Sequence, residues 1–179
     1  MKPGITVVGD NQHKFSVHVN EPEIGSGGFG SVYRCRDMST SPPEDCAAKR
    51  VSVHSEEGRA EFQKEIAVLR EVCDHPCVIS LMGDAEKGND GWMFLELAAG
   101  GELFEKLMDS RQLSEAEAWP YISRIADALK HCHSKGVAHR DVKLENVRGA
   151  TRSSTANVWP RLRLRSRASA MPPHIAGAS

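Results

Sequence analysis

Phe15-Ser16-Val17-His18-Val19 is apolar and polar by turns, which predicts a half-buried strand. Val32-Tyr33-Arg34-Cys35-Arg36 and Cys46-Ala47-Ala48-Lys49-Arg50-Val51 also read as strands, with Ser39-Thr40-Ser41-Pro42-Pro43 breaking the chain between them. The period then changes. Phe62, Ile66, Leu69 and Val72 recur at helical spacing over residues 56–73, and Glu65 falls on the same apolar face. Met93 to Leu97 reads as a buried strand, followed by a glycine turn and a helix from Leu103 to Ser110. Ser114-Glu115-Ala116-Glu117 is a capping box. It opens a long helix whose stripe, Trp119, Ile122, Ile125, Ala126 and Leu129, runs toward His133 and a Gly136 cap. Pro120 removes a hydrogen bond inside that helix and predicts a kink. Residues 1–13 carry no usable pattern and are expected to be a loose lead-in. From 147 to 179 no helical apolar period remains, and disorder is the default expectation.

Composition narrows the class. The 179 residues suit one domain of ordinary size, and 40% apolar content is adequate for a core. No uncharged apolar run approaches the roughly 18 residues of a membrane span, and no signal-peptide segment opens the chain. Cys35, Cys46, Cys73, Cys77 and Cys132 are odd in number and form no Cys-x-x-Cys pair, which fits free thiols in a reducing compartment. The expected location is cytoplasmic, with the nucleus left open, and neither membrane nor nucleic acid is expected as a partner. His131-Cys132-His133 and Cys73-x-His75-x-Cys77 lack the spacing of a structural zinc site. Charge is strongly asymmetric. All 24 Asp and Glu lie at or before Glu145, against 17 Lys and Arg, while residues 147–179 carry six Arg and no acid. Such a shift marks a boundary.

Three short stretches carry candidate chemistry. Ile24-Gly25-Ser26-Gly27-Gly28-Phe29-Gly30-Ser31-Val32 contains G-x-G-x-x-G, which lets bare backbone amides approach phosphate oxygens. A dinucleotide-binding loop is the rival, since Asp45 follows Gly25 by 20 residues. That loop must open a helix, however, and strand formers follow here. Lys49, some 20 residues beyond the loop, can reach the α- and β-phosphates or stand as a solvated strand lysine. Glu65 supplies a reason to prefer the first reading, because a carboxylate on a buried helix face is costly without a cation. A glutamate at the helix edge is the alternative. Lastly, His139-Arg140-Asp141-Val142-Lys143-Leu144-Glu145-Asn146 offers a proton-accepting carboxylate, a cation two residues on and a metal-ligating amide. Taken alone it reads equally as a charged loop after a helix.

Taken together and in this order, residues 14–146 resemble the amino-terminal part of a eukaryotic protein kinase domain. Cys46-Ala47-Ala48-Lys49 stands in place of V-A-I-K, and Asp74-His75-Pro76-Cys77-Val78-Ile79 resembles the family's loop after the helix of Glu65, with Cys77 where Asn is usual. Lys143 resembles the serine/threonine class. The resemblance implies an α+β fold, with an antiparallel-sheet lobe of about five strands and one packed helix over residues 14–97. A linker and partial helical lobe would follow over 98–146, and a basic tail over 147–179. It implies ATP and Mg²⁺ as cofactors and a protein substrate with a Ser or Thr acceptor. Asp141 and Lys143 become catalytic and Asn146 a metal ligand. The nucleotide falls to Ile24, Gly25, Gly27, Gly28, Gly30, Val32, Ala47, Lys49 and Glu65. Beyond these, Leu95 becomes the gatekeeper, the Glu96 carbonyl and Ala98 amide bond adenine, and Glu102 meets the ribose.

The resemblance stops after Asn146. A kinase continues through two short strands to Asp-Phe-Gly, whose aspartate holds Mg²⁺, and no Asp or Glu follows Glu145. The expectation is therefore a serine/threonine kinase domain that transfers the γ-phosphoryl group of ATP in intact relatives and is inactive alone in this chain. A non-catalytic ATP-binding scaffold, and a non-functional product of a reading frame altered after Asn146, are the alternatives.

Overall fold

The computed structural model describes residues 5–9, 13–27, 30–98, 112–149, 160–164 and 169–170. They belong to two units, the first made of residues 1–67 and 81–97, the second of 68–80 and 98–179.

Alternation in the first unit becomes an antiparallel sheet. Its strands are β1 (Ile5–Val8), β2 (Lys14–Val17), β3 (Gly25–Gly27), β4 (Gly30–Asp37), β5 (Glu44–Ser52), β6 (Leu81–Lys87) and β7 (Asp90–Glu96). The order is β1-β2-β4-β5-β7-β6, with β3 also on β4. Register sorts the side chains. Tyr33 faces Ala48 and Cys35 faces Cys46 across β4 and β5, so these four share one side of the sheet. With Val7, Phe15, Val17, Trp92 and Phe94 they form a buried core in which Phe15 stacks on Phe94 at 3.8 Å. Lys87 Nζ donates to the Thr6 carbonyl at 3.3 Å, which brings β6 back toward β1 and curls the sheet around that core.

The sheet has seven strands rather than about five, and one of the additions corrects the reading of residues 1–13 as a lead-in. Ile5, Thr6, Val7 and Val8 pair with Val17, Ser16, Phe15 and Lys14. Four β-branched residues in a row carry high strand propensity but no alternation, so periodicity could not find them.

The other side of the sheet receives α1 (Glu56–Val72), which buries Phe62 and Ile66. A Cβ at Gly91 of β7 would lie 2.8 Å from two carbons of the Phe62 ring, so this glycine lets helix and sheet approach. Gly91→Ala is expected to cost about 1–3 kcal/mol through overpacking. A urea denaturation midpoint equal to that of the parent chain would contradict this.

In the second unit α2 (Glu115–Ser134) starts at the predicted capping box, with Ser114 Oγ accepting from the Glu117 amide and the Glu117 carboxylate accepting from the Ser114 amide. It ends at Gly136, φ +70°. The helix is continuous through Pro120; the bond a proline removes here belongs to the carbonyl of exposed Ala116, which water can satisfy. Ala128 and Cys132 are buried, whereas Trp119 and Ile122 are 67% and 57% exposed. The predicted helix at 103–110 lies outside the described residues.

Beyond α2 the chain forms β8 (Val137–Ala138), a 3-10 turn at Leu144–Asn146, β9 (Val147–Gly149), β10 (Pro160–Leu162) and β11 (Ser169–Ala170). β10 pairs antiparallel with β9 and β11 with β8. Leu162 also bridges Val78 in parallel, its amide donating to Cys77 O at 2.7 Å and its carbonyl accepting from Ile79 N at 3.1 Å. Arg161 Nη1 donates to Val78 O at 3.2 Å, and Leu162 and Leu164 are buried. Residues 160–164 are thus part of the packed unit and not a loose basic tail. Arg161-Leu162-Arg163-Leu164 alternates with period two, a strand signature that a search for helical period passes over. Among the described residues no helix is long and apolar enough to cross a membrane.

Candidate functional site

Glycine sets the geometry of the first cluster. β3 and β4 form a hairpin pairing Gly25 with Val32, Ser26 with Ser31 and Gly27 with Gly30. Gly30 has φ +103°, and a side chain there would run into the Arg50 carbonyl, so only glycine fits. Gly28 lies outside the described residues. Val32 pairs with Lys49 and Lys49 with Met93, so Gly25, Val32, Lys49 and Met93 form one row across four strands on the side that receives α1. From that row Lys49 Nζ donates to Glu65 Oε1 at 2.6 Å and Oε2 at 2.8 Å. The two side chains are 5% and 9% exposed, as expected of a carboxylate whose helix face is buried and paired. Ile24 donates its amide to the Val32 carbonyl, and Ala47 is buried opposite Leu95. Glu96 is the half-buried last residue of β7 and Ala98 is buried in the second unit; Glu102 lies outside the described residues.

The second cluster is the loop after β8. Arg140 has φ +60°, an unusual conformation for a residue with a side chain. His139 is buried and ties the loop down from both ring nitrogens. Its Nδ1 accepts from the Asp141 amide at 3.2 Å, so Nε2 carries the proton and donates to the Arg163 carbonyl at 2.9 Å. Asn146, fully buried, donates from Nδ2 to Asp141 O at 2.7 Å and Asp141 Oδ2 at 2.9 Å. Lys143 Nζ stands 3.7 Å from Asp141 Oδ1. The Arg163 amide closes the frame on the Asn146 carbonyl at 2.8 Å. The sequence singles out Asp141, Lys143 and Asn146 but not their link to residues 160–164, which runs through the main chain of Arg163 and so leaves no residue-type signal of where that strand docks.

Burial pushes the His139 pKa below the ordinary imidazole value, outweighing the Arg163 carbonyl and the Asp141 charge, which favour the cation. Protonation would also set an N–H at Nδ1 against the Asp141 amide. With the folded pKa depressed, the unfolded chain binds more protons than the folded one as pH falls through the unfolded value, about 6.5. Stability from this contact is therefore whole above that pH and declines below it. Amide exchange in residues 139–147 is expected to accelerate, beyond its intrinsic pH dependence, on acidification through that range; His139→Gln should flatten the response.

Mg²⁺ favours one or two carboxylates together with substrate phosphates. Both oxygens of Asp141 face donors, Asn146 Nδ2 and Lys143 Nζ, and Asn146 turns its NH₂ toward that carboxylate. Among the described residues no group of three His, Cys, Asp or Glu could hold a metal ion. The described donors of this loop do not fit a protein-held Mg²⁺.

A curled antiparallel sheet with a glycine hairpin, a buried lysine–glutamate pair on a packed helix, and a braced His-Arg-Asp loop together define a protein-kinase-like fold. The protein kinase domain model matches residues 18–152, and the chain belongs to that family, among the serine/threonine protein kinases. It is 41% identical over 131 residues to death-associated protein kinase 2 of Mus musculus, covering 70% of this chain and 35% of the relative. It is 35% identical over 139 residues to the calcium/calmodulin-dependent protein kinase type II alpha chain of Drosophila melanogaster, covering 76% and 26%. Against calcium-dependent protein kinase 22 of Arabidopsis thaliana the identity is 32% over 139 residues, covering 75% and 28%. The chain therefore spans about a third or less of the length of these relatives. Members of the family generally use ATP and Mg²⁺.

Proposed function

We propose that this chain binds ATP through its first unit, with the Gly25–Val32 hairpin over the phosphates and Lys49, aligned by Glu65, pairing with them. The buried contact between Lys49 and Glu65, on the same strand row as the hairpin, carries the reading. Ile24, Val32 and Ala47 would line the base, with Glu96, Ala98 and Glu102 completing its recognition. Asp141 would be the carboxylate that accepts the proton of a Ser or Thr hydroxyl on a protein substrate, with Lys143 meeting the transferring phosphoryl group. Asn146 would hold Asp141 in place. Because no acid follows Glu145, the chain alone is expected to bind ATP without useful turnover, which makes a non-catalytic nucleotide-binding scaffold the second reading.

Displacement of a fluorescent ATP analogue, run beside radiolabelled phosphate transfer to a serine peptide, tests both parts. ATP should displace the analogue, and transfer should not rise above an Asp141→Ala blank. Failure to displace removes the nucleotide reading; transfer abolished by Asp141→Ala would show the chain to be an active kinase.

A further inference from the structure

We infer that nucleotide held by this chain is bound independently of Mg²⁺, the catalytic loop serving as a closed hydrogen-bonded frame instead of a metal site. This rests on the nucleotide-binding reading above and deepens it.

Asp141 already meets a donor at each carboxylate oxygen. A divalent cation at its carboxylate would displace the Asn146 amide from Oδ2 and meet the Lys143 ammonium already 3.7 Å from Oδ1. Asn146 is fully buried and its Nδ2 also donates to the Asp141 main chain, so turning its amide oxygen toward a metal would break two bonds inside the protein. A second carboxylate would have to come from chain running beside the loop. Among the described residues Arg163 runs beside it, bonded at its amide to Asn146 and at its carbonyl to His139. The segment brought there reads Arg161-Leu162-Arg163-Leu164, and no residue from 146 to 179 is acidic. Beside the loop the sequence therefore supplies no carboxylate for a metal. In the first unit the cation on the strand row is Lys49, held by Glu65.

ATP is titrated against the fluorescent analogue in excess MgCl₂ and in excess EDTA. The two affinities are expected to differ by less than about tenfold, under about 1.4 kcal/mol. In a separate titration without nucleotide, the electron paramagnetic resonance signal of free Mn²⁺ should be the same with the chain present as without it. ATP bound tenfold or more tightly with Mg²⁺ overturns the inference. So does Mn²⁺ bound by the chain and released by Asn146→Ala. No ATP binding in either buffer removes instead the nucleotide reading on which the inference rests, and the two failures are thus told apart.

Discussion

Lys49→Ala is expected to abolish measurable ATP binding and to destabilise the first unit by about 3–5 kcal/mol, the usual cost of leaving one member of a buried ion pair without its partner. Glu65 is 9% exposed and takes both its short contacts from Lys49 Nζ, so removing the ammonium strands a carboxylate between sheet and helix. The companion variant Lys49→Met with Glu65→Leu separates the two effects. It removes both charges and keeps apolar volume, so stability should return to within about 1–2 kcal/mol of the parent, or exceed it, while ATP binding stays lost. Chemical denaturation and nucleotide titration of the three chains check this. Unchanged affinity in Lys49→Ala would remove the lysine from the phosphate site. Equal instability in the single and double variants would show that packing, not charge, is at stake.

Ending the chain after Trp159 should unfold the loop of Asp141 while leaving the first unit intact. The cut withdraws Leu162 and Leu164, both buried, at about 1.5–3 kcal/mol each. It also strips partners from Cys77 O, Ile79 N, Asn146 O and His139 Nε2. With stabilities of domains at about 5–15 kcal/mol, a loss of this order is enough to open the region. Hydrogen exchange followed by mass spectrometry should show protection lost over residues 137–149 and retained over β4, β5 and β7. Leu162→Ala, at about 2–5 kcal/mol, should give a partial version of the same pattern. Protection of 137–149 unchanged by the cut would mean that β10 lies on the loop without supporting it.

Local pattern made much of this molecule legible. The helix over residues 56–72 and the partner of Glu65 followed from spacing plus the cost of a buried charge, and the structure supplies both. The capping box at Ser114 and the glycine end at Gly136 followed from rules that need only a few adjacent residues. What escaped was non-local or off-period. Ile5–Val8 has no alternation and becomes a strand because Val17 and its neighbours offer an edge. Residues 160–164 were obscured by six arginines, whose number suggests solvent although Arg161 is buried against Val78. The stripe on α2 shows the reverse: Trp119 and Ile122 have the spacing of a buried face and are exposed, so pattern states what a helix can bury and not what it meets.

The bond between His139 and Arg163 also fixes an order of events during synthesis. His139 leaves the ribosome before the residue whose carbonyl it needs, and Leu162 must be made before it can pair with Cys77 and Ile79, more than eighty positions earlier. At about 5–20 residues per second the interval from His139 to Leu164 is about 1–5 seconds, whereas the first-unit sheet, complete at Glu96, is free to form sooner. During that interval the Asp141 loop exists as sequence without its brace, exposed to proteases and chaperones. A translational pause after His139 has emerged from the ribosome and before Leu164 has emerged would lengthen this exposure for the second unit alone.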